Sequence, residues 1–171
     1  MGDEANLAKA YRQARRDFIA ACEHAGADAI ARVHPQKGPD GKPLFCDSAA
    51  FGPLAASRAL LLLAGSLGAV TAFLRAGFKL PDGAKLVAIH ALDPYARAWG
   101  KPGSPADWPQ KTLAAIAAED LRQVKKLTVL DMSGGVTEAA LAAALPGVGI
   151  IFRTIKPDHA EQAILAAIAA L

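Results

Sequence analysis

The sequence predicts a three-layer α/β/α domain on a mostly parallel or mixed sheet, and two observations carry that prediction. The runs 59–64 (Ala-Leu-Leu-Leu-Leu-Ala) and 85–91 (Lys-Leu-Val-Ala-Ile-His-Ala) lack polar alternation, as strands covered on both faces do. Around them stand segments of helical periodicity, so strands and helices alternate along the chain. With 171 residues, 53% hydrophobic and 20% charged, a single domain over 1–171 is expected. A chain of that length buries roughly two-thirds of its unfolded surface.

The elements follow in order. Residues 4–25 put Leu7, Tyr11, Ala14, Phe18, Cys22 and Ala25 on one helix face, and Gly26 ends the helix. Ala27 to His34 is expected as a strand. Gly38-Pro39-Asp40-Gly41 makes a turn, with Pro39 presetting the dihedral at its second position. Leu44 to Asp47 is expected as a short edge strand. The central strand, Ala59 to Ala64, enters a glycine turn (Gly65-Ser66-Leu67-Gly68), then a helix over Ala69 to Ala76 and the strand Lys85 to Ala91. That is a crossover unit, and sites on such sheets gather beyond the strand C-termini.

Gly100 to Pro105 reads as a loop, and Pro109 sits in the first turn of a helix running to about Val124. Lys126 to Met132 is a strand, Ser133-Gly134-Gly135 a turn, and the helix after it ends before Pro146. Val148 to Phe152 is the last strand. Pro157 starts the final helix, with Asp158 and Glu161 near its positive end.

Lys and Arg exceed Asp and Glu by 19 to 16, a net +3, but the basic residues are scattered. Without aromatic interleaving they make no nucleic-acid surface. Cys22 and Cys46 fit no metal or redox spacing and read as reduced, half-buried thiols. Met1-Gly2-Asp3-Glu4 is acidic and polar, unlike a secretory signal, and no apolar run reaches the ~20 residues that span a bilayer. A cytoplasmic protein with no membrane partner is expected.

Several words then align: Tyr11…Ala14-Arg15…Phe18; His34-Pro35…Gly38-Pro39-Asp40-Gly41…Leu44…Asp47; Leu61-Leu62-Leu63-Ala64-Gly65-Ser66; and His90-Ala91-Leu92-Asp93-Pro94-Tyr95. In that order and spacing they resemble the bacterial DUF2817 family, of the zinc carboxypeptidase (M14-like) group. The resemblance is strong from Tyr11 to Tyr95 and weaker beyond. It implies a carboxypeptidase-like fold, a catalytic zinc and a hydrolase.

The chain departs from the family where the chemistry lies. The family's turn Ser-Gly-Thr-His-Gly-Val-Glu-Gly supplies two zinc ligands, and here Leu67 and Val70 stand in their places. The third ligand, in Leu-Asp-Leu-His-Thr-Gly, is matched by Ser133. The glutamate of Glu-Phe-Gly-Thr is matched by Ile151, and the Asn of Asn-Pro-Tyr by Asp93. Catalytic zinc takes about three N, O or S protein donors, and hydrocarbon offers none. His24, His34, His90 and His159 lack the helical or turn spacing that would rebuild a metal motif. The expectation is therefore no metal and no cofactor in a degenerate domain without peptidase activity, acting as a binding or structural protein. A homo-oligomer formed through an uncovered sheet edge is also expected.

Two other readings stand beside it. Ala64-Gly65-Ser66-Leu67-Gly68 fits a nucleophile elbow with Ala for the first Gly, and Asp131 and His159 follow in α/β-hydrolase order, which gives a metal-independent serine hydrolase. Ser66 as a turn residue and helix N-cap explains the same letters. The third reading is a small-molecule or peptide ligand in the relict cleft, with His90, Asp93, Arg97, Asp131 and Ser133 as binding candidates. In it His90 is a general base near Asp93, or simply a hydrogen-bonded histidine at a strand end.

Overall fold

A computed structural model describes residues 2–65, 67–133 and 136–171, with Leu67 described in its backbone only. Among the described residues six strands form one sheet: β1 (Ile30–Lys37), β2 (Pro43–Phe51), β3 (Arg58–Ala64), β4 (Ala84–His90), β5 (Lys126–Asp131) and β6 (Gly149–Thr154), in the order β1-β2-β4-β3-β5-β6. β4, β3, β5 and β6 run parallel, and β2 and β1 join them antiparallel. The sheet is mixed, as predicted.

The apolar run of β3 is buried on both faces because the helices divide between them. Leu60, Leu62 and Ala64 pack into a core with Phe18 and Cys22 of α1 (Gly2–His24), Phe73 and Leu74 of α2 (Leu67–Ala76), and Ile164 and Ile168 of α6 (Ala160–Ala169). Leu61 and Leu63 face the other way, onto Leu113 and Ile116 of α4 (Trp108–Asp120) and Leu141 of α5 (Glu138–Ala144). Each fully buried leucine contributes about 1.5–3 kcal/mol, which is why a continuous apolar strand is stable only between two helical layers.

Three boundaries differ from expectation for physical reasons. β1 runs Ile30–Lys37 instead of Ala27 to His34, and it carries Pro35. An edge strand tolerates the missing N–H, and the ladder shifts register between Val33 and Lys37. β2 is not a short edge strand. It has nine residues and lies between β1 and β4, its polar Asp47 and Ser48 buried because Arg15 and Arg32 bond them. α4 ends at Asp120 instead of about Val124, although Leu121 and Val124 still fill the core beyond it.

The chain leaves β3 for β4 on one side and leaves its neighbour β5 for β6 on the other, so the connections from the C-terminal ends of this central pair run in opposite directions. Such a point opens a crevice beyond the carboxyl ends of the strands. Here it is narrow. A Cβ built on Gly65 would lie 1.8 Å from the Met132 carbonyl oxygen and 2.3 Å from Ser133 Cα, so only glycine lets the ends of β3 and β5 approach this closely.

Candidate functional site

Beyond the ends of β3, β4 and β5 lies a cavity of about 160 Å³. Ala64 ends β3, while Ala91, Leu92 and Asp93 continue from β4, where Ala91 takes a positive φ of 52°. Ala96 and Arg97 come from α3 (Pro94–Trp99), and Pro109, Ser133 and Val136 close the wall.

α3 forms where it does because Asp93 caps it and Pro94 fills its first turn. Asp93 Oδ1 accepts from the Ala96 N–H at 3.0 Å and from Ser104 Oγ at 2.5 Å. Ser104 Oγ lies 2.9 Å from His34 Nε2, and His34 Nδ1 accepts the Gln36 N–H at 3.1 Å. With Nδ1 accepting, Nε2 carries the proton and donates to Ser104. The loop over 100–107 is thereby tied to edge strand β1 and to the cavity wall. His34 is buried, with the Trp108 ring edge-on at 4.6 Å, and burial holds its pKa below the ordinary value against the opposing pull of Gln36 and Asp93. Burial also lowers the Arg97 pKa, and Asp93 opposes it.

The predicted binding residues divide. Asp93, Arg97 and Ser133 line the cavity together. Asp131 is buried behind Ser133, whose N–H and Oγ both donate to Asp131 Oδ1, at 2.8 and 2.5 Å. His90 is elsewhere. Its partner across the sheet is Asp47, not Asp93: Nδ1 stands 3.7 Å from Asp47 Oδ2, and Phe18 and Tyr11 of α1 stack on the ring at 5.3 and 6.0 Å. Among the described residues neither ring nitrogen has a hydrogen-bond partner, which also corrects the expectation of a hydrogen-bonded strand-end histidine. Burial drives the His90 pKa down while Asp47 raises it.

Of the three residues of the proposed serine triad, only Asp131 and His159 are among the described ones. Ser66 lies outside the described residues, as do Gly134 and Gly135 of the second turn. His159 sits exposed in a short 3₁₀ turn, Pro157–His159, and shares no hydrogen bond or ion pair with Asp131.

The positions that the family resemblance gives to zinc do not fit the ion. Val70 is fully buried among Phe73 and Leu74, and Ser133 is bonded to Asp131. Ile151 is 56% exposed in the middle of edge strand β6, away from the cavity. The side chain of Leu67 is outside the described atoms. Among the described residues no three of His, Cys, Asp and Glu converge as a metal site.

Sequence reasoning missed Ser104, whose Gly-Ser-Pro setting signals only a loop, and it missed the partners of Asp47. Asp47 is held by Arg15 of α1 through two hydrogen bonds of 2.8 Å.

No curated protein matches the chain. Solved structures resemble it at low identity. The glutaminyl cyclase of Porphyromonas gingivalis is 15% identical, over 94% of this chain and 73% of that one, with a TM-score of 0.47. A Zn-dependent exopeptidase from Parabacteroides distasonis is 12% identical, over 95% and 77%, at 0.45. The Bacteroides thetaiotaomicron glutaminyl cyclase bound to N-acetylhistamine is 10% identical, over 99% and 79%, at 0.46. Likeness at this level says nothing about activity. The family match is of another order: DUF2817, described as a protein of unknown function, matches residues 7–104. That stretch exceeds half of the 171 residues and contains β1 to β4 with α2 and α3, and the chain belongs to the DUF2817 family.

Proposed function

We propose that this domain is a metal-free member of DUF2817 on a carboxypeptidase-like frame, without peptidase activity, whose function is to bind a small ligand in the cavity beyond β3 and β4. The observation that supports it is the state of the ligand positions. Val70 is built into the core, and Ser133 presents only a neutral hydroxyl oxygen whose proton goes to Asp131, so these positions supply no imidazole and no carboxylate to a cation in the cleft. A zinc-bound water is what such a frame would use to attack a peptide bond, and without ligands for the ion that water is not activated.

What remains is a binding surface: a guanidinium, a carboxylate and a hydroxyl set in an apolar wall. None of the described helices is long and apolar enough to cross a membrane. A cytoplasmic location, and self-association through an uncovered sheet edge, belong to the same proposal.

Metal analysis of the purified protein, with a peptidase and esterase panel, tests the reading. We expect substoichiometric zinc, no peptide hydrolysis, and no labelling of Ser66 by a serine-directed fluorophosphonate. Stoichiometric zinc with metal-dependent hydrolysis would overturn it. Esterase turnover lost in Ser66→Ala would replace it with the serine-hydrolase reading.

A further inference from the structure

Two opposite charges line the cavity without meeting. Asp93 and Arg97 are both in its wall, yet among the described residues Arg97 makes no side-chain hydrogen bond and no ion pair, with Asp93 or with any other group. Asp93 is committed on one oxygen only. Oδ1 takes the Ala96 N–H and the Ser104 hydroxyl, while Oδ2 accepts no hydrogen bond from the described residues. Its position is fixed from behind by His34 through Ser104.

A flexible arginine four residues from a carboxylate would ordinarily fold onto it. Here the two residues form no ion pair, and they share the wall of a small cavity with Ser133 and with the apolar Ala64, Ala91, Leu92, Pro109 and Val136. Half-buried groups of opposite sign, each with bonding capacity left over, match a ligand that carries both charges. The volume of about 160 Å³ equals that of about five waters at ~30 Å³ each. That admits a molecule of about five to seven non-hydrogen atoms.

We propose that the cavity binds a small zwitterion, a free α-amino acid with a short side chain. Its carboxylate pairs with Arg97, its ammonium with Asp93 Oδ2, and its side chain lies on the alanine and proline wall. The inference rests on the ligand-binding reading above, but not on the fate of the zinc positions.

The test is titration of the ¹⁵N-labelled full chain with L-alanine, with acetate and with methylammonium, followed at Arg97 Nε and at the Ala96 amide. L-Alanine is expected to bind about tenfold more tightly than either half-ligand, because each lost charge-assisted contact costs about that factor. Asp93→Asn, which keeps a cap-competent side chain, and Arg97→Gln are each expected to weaken alanine about tenfold while leaving the thermal midpoint nearly unchanged. Acetate binding as tightly as alanine, with no effect of Asp93→Asn, would overturn the inference in favour of a plain anion pocket. So would the absence of any Arg97 shift with all three probes. Zinc uptake by the same sample would strike the metal-free reading alone.

Discussion

Arg15 of α1 meets Asp47 of β2 with two hydrogen bonds of 2.8 Å, and the Asp47 side chain is 1% exposed. The pair is the polar centre of a clasp between helix and sheet. Tyr11 donates its hydroxyl to the Phe45 carbonyl and accepts the Phe45 N–H, both at 2.8 Å, and the Arg15 guanidinium lies 4.1 Å from the centre of the Phe45 ring. Arg15→Ala would leave a buried, unpaired carboxylate, and such losses cost about 3–5 kcal/mol. Urea denaturation is expected to show a fall of that size, and a fall under 1 kcal/mol would contradict the clasp.

His90 makes stability pH-dependent. Its folded pKa is lowered by burial, so the unfolded chain binds more protons in the window just below the ordinary histidine value of about 6.5. Its contribution is therefore complete above that value and is lost as pH falls toward the folded pKa. His90→Phe keeps the stack on Phe18 and Tyr11 and removes two unpartnered ring nitrogens. We expect this variant to gain about 1 kcal/mol at neutral pH and to lose part of the acid sensitivity. A steeper acid slope in the variant would refute this account.

His34 titrates in the same direction and reports through tryptophan. Protonating Nδ1 would set an N–H against the Gln36 N–H and turn the ring beside Trp108, while Nε2 keeps its proton for Ser104. In a Trp99→Phe background, leaving Trp108 as the single tryptophan, the emission is expected to step as pH falls below about 6.5. The step should vanish in His34→Gln and move in Ser104→Ala. An identical titration in all three would disconnect His34 from the loop.

Gly65→Ala tests the close approach of β3 and β5. Backbone atoms occupy the place of the new methyl, so the sheet would have to open at its centre. We expect a loss above about 4 kcal/mol, in the range reserved for severe lesions. Gly68→Ala, where a Cβ would meet no heavy atom within 4 Å, should be tolerated.

The sheet was legible wherever hydrophobic patterning is sufficient. β3 and β4 stand where their apolar runs put them, and the parallel connections follow from alternation with helices. β2 was not legible at full length, since Asp47 and Ser48 look like the end of a strand until Arg15 and Arg32 are known to reach them. The same limit hid the site. Asp93 and Arg97 are neighbours in sequence and stand together in the cavity wall, whereas His34 and Ser104 are 70 residues apart and meet only through folding. His90 was paired with the wrong carboxylate because sequence distance favours Asp93 while sheet register delivers Asp47. The words that carry the family resemblance, Tyr11, Arg15, Phe18, Asp47 and His90, turn out to build the clasp.

Val70 looks inward, into hydrocarbon shared with Phe73 and Leu74. A glutamate placed at that position would arrive in oil and not in the cleft, where it would take up a proton or force the helix away from the sheet. A metal donor could be gained at this position only by recutting a whole helical surface, so the packing of one helix keeps the cleft closed to such chemistry.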